Sequence, residues 1–218
     1  MRRPSLTRLL ACALLVAAAL TAGLLALRQP RASARADCGT ERWAVKTLAD
    51  GQARKINFHA RKTSVSALRR LPPTHTYARA PGVERRTFRI KARLVETKIE
   101  DDQDIHLVVA DPRARSHTMI VEFPAPACTT HSVKRRAMMH ARRAFVSACG
   151  QPAKSSFHFV QGLATITGVG FFDFNHGQTG IAPNAIELHP VIGIRVRSCA
   201  PSKPWGRWAN YRPPAETD

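Results

Sequence analysis

Alternating apolar and polar residues dominate the second half of the chain, and this period of two predicts β-strands with one buried face. In segment 87–96, Phe88 and Ile90 point to one side while Arg89 and Lys91 point to the other. The strands predicted from this pattern are 87–96, 104–110, 118–123, 157–174 and 185–196.

One segment, 133–148, repeats its apolar residues every three or four positions, which predicts an amphipathic helix. Gly150 follows at a position where helices commonly end. The apolar face consists of Val133, Ala137, Ala141, Ala144 and Ala148, with Met138 and Phe145 beside it. The other faces carry Lys134, Arg135, Arg136, Arg142 and Arg143. The helix is therefore expected to pack one side on the strands and to present cations to solvent.

Shorter elements precede these strands, and they predict an extension packed on the main body. Segments 44–48 and 55–58 are predicted to form a β-hairpin. A short helix is predicted over 63–71, with Thr63 or Ser64 as its cap. Two prolines follow this helix and end it.

The order strand, strand, strand, helix, strand, strand predicts a mainly β fold. We expect a five-stranded barrel of the OB (oligonucleotide/oligosaccharide-binding) type, plugged at one end by the helix. Gly168 and Gly170 lie where a bulge would bend the fourth strand. In such a barrel the first hairpin loop, 100–104, and the loop 174–184 share one rim, the usual ligand-binding edge. A β-sandwich or another small α+β fold is the alternative.

The N-terminus has the pattern of an export signal. Three arginines within the first eight residues precede an uncharged apolar run from Leu9 to Leu27, and small residues suited to cleavage end at Ala34 and Ala36. A retained single-pass anchor is the alternative, because the run is nearly long enough to span a bilayer. The predicted divisions are a signal peptide or anchor over 1–36, an extension over 37–83, the barrel domain over 84–199 and a flexible Pro/aromatic tail over 200–218.

Four cysteines follow the predicted signal, which suggests two disulfides in an exported chain. Three pairings are open. We expect Cys38–Cys199, which would bracket the domain, and Cys128–Cys149, which would bracket the helix. No CxxC spacing favours a zinc site.

The charge balance changes the functional expectation. The 218 residues include 34 Lys and Arg against 15 Asp and Glu, for a formal net charge of +19, while 44% hydrophobic residues exclude a disordered chain. Such a charge attracts polyanions, namely nucleic acid, acidic polysaccharide or lipid headgroups. The alternative is an arginine-rich composition with no polyanionic partner. The predicted contacts are Arg89, Lys91, Arg93, Arg135, Arg136, Arg142 and Arg143.

Acidic residues and histidines alternate near the predicted rim. Asp104 shares a strand face with His106, and Glu187 shares one with His189. The candidate site residues are Asp104, His106, Asp173, His176, Glu187 and His189. Together they could hold a divalent metal, the one cofactor that the pattern suggests, or supply a general base. The alternative is a set of carboxylate–histidine pairs that only stabilise the fold.

Three strings carry a resemblance: IEDDQDIHLV at 99–108, GVGFFDFNHGQTG at 168–180 and IELHPV at 186–191. They resemble a group of exported bacterial proteins without an assigned function. The resemblance implies export and a compact β-rich body, and it implies no activity. The strand order is also loosely similar to staphylococcal-nuclease-like barrels, but their arginine and acid motifs are not recognisable here.

These observations predict an exported binding module for a polyanion. One alternative is a metal-dependent hydrolase of phosphodiesters that uses the Asp, Glu and His candidates. Another is a passive envelope protein held by an uncleaved N-terminal helix.

Overall fold

The protein is mainly β, as the alternation predicts. A computed structural model describes residues 38–74 and 76–201. Its strands are β1 Asn57–Thr63, β2 Arg86–Ile99, β3 Ile105–Asp111, β4 Ala114–Phe123, β5 His158–Phe172 and β6 Ile186–Pro201. Its helices are α1 Trp43–Lys46, α2 Val65–Leu68 and α3 Arg135–Cys149, with 3₁₀ turns at Ala53–Lys55, Gly82–Arg85 and Pro126–Thr129.

The six strands form one mixed sheet in which five strands close into a ring. β2 pairs antiparallel with both β3 and β5, β3 with β4, and β5 with β6, while β4 and β6 are parallel. The ring therefore runs β2-β3-β4-β6-β5 and returns to β2. β1 lies outside the ring and pairs in parallel with β2.

The inward faces of the ring strands form the main core. The β5–β6 register shifts on both sides of Gly168, so the bulge predicted there is confirmed. Helix α3 adds Ala141 and Phe145 to this core, and Phe145 stacks on Phe123 with ring centroids 5.1 Å apart. One face of α3 thus packs on the strands, but it is not the predicted one: Met138, Ala141 and Phe145 are buried. Val133, Ala144 and Ala148 of the predicted face are exposed, because the larger Met138 and Phe145 set the buried side.

The predicted N-terminal hairpin is wrong. Residues 43–46 form helix α1 instead of a strand, because Val45 and Leu48 are buried with helical spacing and Thr47 N donates to Trp43 O at 3.0 Å. The second segment does form a strand, but β1 pairs with β2. The short helix α2 is confirmed, and Ser64 caps it by accepting from Ala67 N.

The predicted disulfide pairing is also wrong. The bridges are Cys38–Cys128 and Cys149–Cys199, with Cα separations of 5.5 and 5.2 Å. Cys149 is the last residue of the 15-residue helix α3, which is about 22 Å long at 1.5 Å per residue. Cys128 lies before the start of this helix, and the fold brings each of the two cysteines within disulfide reach of another partner, Cys38 for Cys128 and Cys199 for Cys149.

The predictions for the chain ends lie outside the described residues: the signal peptide or anchor over 1–36, and residues 202–218 of the predicted tail. Within 38–74 and 76–201, no helix is long and apolar enough to cross a membrane.

A buried ion pair fastens the N-terminal segment to the end of β5. The guanidinium of Arg42 donates to both carboxylate oxygens of Glu84, at 3.0 and 2.7 Å, and to the carbonyl of Phe172. Both charged side chains are at most 1% exposed. Glu84 also accepts from the backbone of Ala80 and Phe172, so one carboxylate joins three parts of the chain.

We predict that Arg42→Met lowers the free energy of unfolding by about 3–5 kcal/mol, because it leaves Glu84 buried without its cation. Urea unfolding followed by circular dichroism measures the loss. The control is Arg54→Met at an exposed position, which should stay within about 0.5 kcal/mol of wild type. A loss below about 1 kcal/mol for Arg42→Met would show that the Arg42–Glu84 ion pair does not fasten the N-terminal segment.

Candidate functional site

Three polar side chains form a row across β3, β4 and β6. His106 pairs in register with Glu122, and the parallel pairing of Val121 with Leu188 sets Glu122 next to His189. Val121 and Leu188 belong to the main core. Because neighbours on a strand alternate between faces, the row points away from the core, to the outer side of the ring.

This part of the outer side is covered by other segments. The N-terminal segment and the loop 173–184 lie over it, and His106 and His189 are both buried. Gly180, with φ of +81°, lets the loop lie directly on Val108 of β3, since any side chain at that position would collide with Val108.

A cleft of about 470 Å³ opens between these cover segments. The turn 100–102 and the loop residues 176–179 both line it, so the two predicted rim loops meet. Glu122 lines the cleft floor, and Lys46, Lys98 and Phe157 line its walls.

His189 is surrounded by carboxylates. Its Nε2 lies 3.4 Å from Asp104 Oδ2, and its Nδ1 lies 3.1 Å from Glu122 Oε2 and 3.6 Å from Glu187 Oε2. None of these contacts has hydrogen-bond geometry, so both ring nitrogens and Glu187 Oε2 are buried without a hydrogen-bond partner. Asp104 Oδ1 is held separately, by the backbone N–H of Ala125 at 2.7 Å.

His106 has better-defined partners. Its Nε2 donates to the carbonyl of Thr179 at 2.9 Å, which ties β3 to the covering loop. Its Nδ1 lies 3.3 Å from carboxylate oxygens of both Glu100 and Glu122.

We call His106, His189 and the acids Asp104, Glu122 and Glu187 the acidic cluster. Helix α1 supplies a cation to its edge. Lys46 Nζ lies 3.0 Å from Asp173 Oδ2 and 5.5 Å from the ring centroid of Phe171. Burial lowers the pKa of Lys46, but Asp173, Glu122 and Glu187 outweigh it and raise the pKa above its usual value.

The charged groups of the cluster shift one another's pKa values. Burial lowers the pKa of His106 and of His189, but the carboxylates around each outweigh it and raise both to about 10. Burial raises the pKa of Glu122, yet the two histidines dominate and lower it. Glu187 has a raised pKa, because burial and the charge of Glu122 oppose its ionisation. The cluster therefore gathers acids that are stable only beside positive charge.

Acidic residues are concentrated here although the chain is strongly basic. Six of them line the cleft, and Asp104 and Glu187 lie behind it against His189. These eight make up more than half of the 15 acids in the chain. The cleft is therefore a local reversal of the overall charge.

The sequence candidates are only partly brought together. Four candidates lie in the cluster, namely Asp104, His106, Glu187 and His189. Asp173 lies at its edge, where it forms an ion pair with Lys46. His176 lies on the rim, where its half-exposed side chain bonds Glu41 at 2.9 Å.

Sequence reasoning missed Glu122 and Lys46. Alternation in the predicted strand 118–123 sets Glu122 on the face opposite to Val121, so the pattern could have indicated an outward carboxylate. No sequence pattern indicated that Lys46 belongs to the site, because its segment was predicted to be a strand.

A second region of the outer side is cationic. Arg89 and Lys91 point outward from β2, and Arg89 pairs with Lys62 of β1. Lys91 pairs with Thr165 of β5, which pairs in turn with Arg195 of β6. We call Lys62, Arg89, Lys91 and Arg195 the cationic face. Within the part of the chain that the structure describes, none of the four takes part in an ion pair.

The remaining predicted cations differ in their surroundings. Arg93 lies half-buried next along β2, and Arg135, Arg136 and Arg143 are exposed on α3. Arg142 is half-buried and donates to the carbonyls of Phe123 and Gln103, at 2.6 and 2.9 Å, so its guanidinium already holds α3 to the acidic turn.

No protein-family model matches this chain, and neither curated proteins nor solved structures include a significant match.

We predict that His106→Phe loosens the covering loop, because it removes the donor to Thr179 and leaves Glu100 and Glu122 without their imidazole. Amide hydrogen exchange should accelerate at residues 176–181, and the free energy of unfolding should fall by about 1–3 kcal/mol. His131→Phe, at an exposed position, is the control and should change neither. Unchanged exchange in the loop would contradict the role of this bond.

Proposed function

We propose that this protein is an exported binding module of the OB type whose cationic face binds an acidic polysaccharide. The architecture supports the fold assignment. Five strands close in the order β2-β3-β4-β6-β5, the third and fourth of them in this order are parallel, and the one long helix among the described residues connects β4 to β5. Small closed sheets of this kind commonly bind extended polymers.

The proposal rests on a row of cations from β1, β2 and β6, in which Thr165 of β5 lies between Lys91 and Arg195. Lys62 lies beside Arg89, and Lys91 is linked through Thr165 to Arg195. Adjacent strands are about 4.8 Å apart, so these charges cover one compact patch. A patch without paired acids attracts polyanions and releases their counterions on binding.

The side chains between the cations favour a polysaccharide over a nucleic acid. Thr165 and Thr167 lie among them, and Arg89 Nε donates to Thr167 Oγ1 at 3.3 Å. These hydroxyls can bond sugar hydroxyls or sulfates. Single-stranded nucleic acid is usually held by stacking on aromatic side chains. The one exposed aromatic on β5, Phe159, pairs with Glu96 of β2 and lies outside the cationic face.

Export is supported by the two disulfides, which persist in oxidising compartments. The basic, apolar start of the chain fits the same proposal. N-terminal sequencing of the exported protein tests it, and a new terminus after Ala34 or Ala36 is the expected result. A terminus at Met1 would favour the retained anchor.

We predict that the protein binds a heparin oligosaccharide, used as a sulfated probe, with an affinity that falls steeply as salt rises. The triple variant Arg89→Gln, Lys91→Gln, Arg195→Gln should bind at least about tenfold more weakly, with a salt slope smaller by about one for each cation removed. Titration calorimetry at several salt concentrations measures both.

The matched control removes the same charge elsewhere, through Arg135→Gln, Arg136→Gln and Arg143→Gln on α3. Equal weakening by both triples would mean that net charge alone drives binding, and would contradict the cationic face. Tighter binding to a single-stranded oligonucleotide or to anionic vesicles of equal charge density would overturn the choice of polysaccharide.

A further inference from the structure

We infer that Asp104, Glu122 and His189 form a binding site for a divalent transition-metal ion at the floor of the acidic cleft. One ligand atom from each of the three residues lies within 4.8 Å of the others, and all three side chains are buried. This site lies at β3, β4 and β6, apart from the cationic face, and does not depend on the polysaccharide proposal.

Each of the two histidine–carboxylate separations is close to the distance between two ligands of one ion. Two donors at about 2.0–2.1 Å from zinc, at a tetrahedral angle, lie about 3.4 Å from each other. His189 Nε2 and Asp104 Oδ2 are 3.4 Å apart, and His189 Nδ1 and Glu122 Oε2 are 3.1 Å apart. The two contacts use different ring nitrogens, so a shared ion would take one nitrogen, and the carboxylate beside the other would have to rotate toward it. Ligand atoms of all three side chains already lie within 4.8 Å of one another, which keeps that movement short.

The imidazole of His189 gives an independent reason to expect a ligand. It is fully buried, yet neither ring nitrogen makes a hydrogen bond. Leaving a buried polar group unsatisfied is costly, and native structures rarely do so without cause. A metal on one nitrogen satisfies that nitrogen and leaves the other to donate to a carboxylate, as metal-bound histidines usually do.

The local charge also favours a bound cation. Glu187 and Glu122 both approach Nδ1 of His189, and Glu187 Oε2 has no hydrogen-bond partner. Lys46, at the edge of the cluster, is engaged by Asp173. A divalent cation bound by Asp104, Glu122 and one nitrogen of His189 would neutralise acids whose ionised form burial otherwise disfavours.

The donor set indicates the class of metal. Carboxylate oxygens alone suit Ca²⁺ and Mg²⁺, whereas an imidazole among them favours zinc, manganese or another first-row ion. Three protein ligands are also the number found in open metal sites, which keep a further position for water or substrate. Here Glu122 borders the cleft, so that position would face solvent.

The surrounding residues are arranged as outer partners of such a site. The N–H of Ala125 fixes Asp104, His106 lies against Glu122, and Glu187 lies against His189. Contacts of this kind orient the ligands and commonly contribute about 10–100-fold to metal affinity.

The test uses the untagged protein, purified in its exported form. Elemental analysis should find about one zinc or manganese ion per chain after dialysis. After chelation, titration calorimetry should show one site for Zn²⁺ or Mn²⁺ that binds at least about tenfold more tightly than Ca²⁺ or Mg²⁺. Fewer than about 0.1 ion per chain together with no calorimetric site, or a preference for Ca²⁺, would overturn the assignment.

Variants separate this site from exposed histidines that bind metal adventitiously. Glu122→Gln should weaken Zn²⁺ binding at least about 100-fold, because it removes a ligand rather than an outer partner. Glu41→Gln makes the same chemical change on the cleft rim and should stay within about threefold of wild type. Equal affinity in Glu122→Gln and wild type would exclude the site.

Stability measurements keep the test decisive if Glu122→Gln folds poorly. Zn²⁺ should raise the melting temperature of wild type and of Glu41→Gln, since a ligand that binds only the native state stabilises it. It should not raise that of the second ligand variant, Asp104→Asn. A metal-induced rise of equal size in Asp104→Asn would contradict the proposal.

Discussion

The burial of several carboxylates around one imidazole is the constraint on which the rest of the structure depends. Glu122, Glu187 and Asp104 can remain in a closed space only where positive charge compensates them. The fold provides that space on the outer side of the ring and covers it with the N-terminal segment. Arg42, bound to Glu84, holds this cover in place.

The closed ring separates two chemistries that one chain carries. The covered outer side of β3, β4 and the start of β6 carries Glu122, Glu187 and the two histidines His106 and His189. The cationic face on β1, β2 and the later part of β6 is exposed. A polymer held on the cationic face would leave the cleft accessible. The alternative, a metal-dependent phosphodiesterase, would use both regions, with the metal site for chemistry and the cations for the substrate. This alternative can hold only if the metal site exists.

Period-two alternation is enough to predict the five strands of the ring, and it correctly puts Arg89 and Lys91 opposite the core. It cannot predict which strands pair, so nothing in the sequence sets Glu122 between His106 and His189. The run around Val45 is short enough to fit a strand or a helix, and its sequence pattern does not decide between them. In the fold, the joint burial of Val45 and Leu48 favours the helix. The disulfide pairing is also set by the tertiary fold, which brings Cys149 at the end of α3 beside Cys199 of β6.

The most direct test of the metal centre is anomalous diffraction from crystals grown with zinc, recorded on both sides of the zinc absorption edge. We expect one strong peak about 2.0–2.2 Å from oxygens of Asp104 and Glu122 and from one ring nitrogen of His189. Peaks confined to exposed histidines, with both nitrogens of His189 hydrogen-bonded to carboxylates or water, would contradict it.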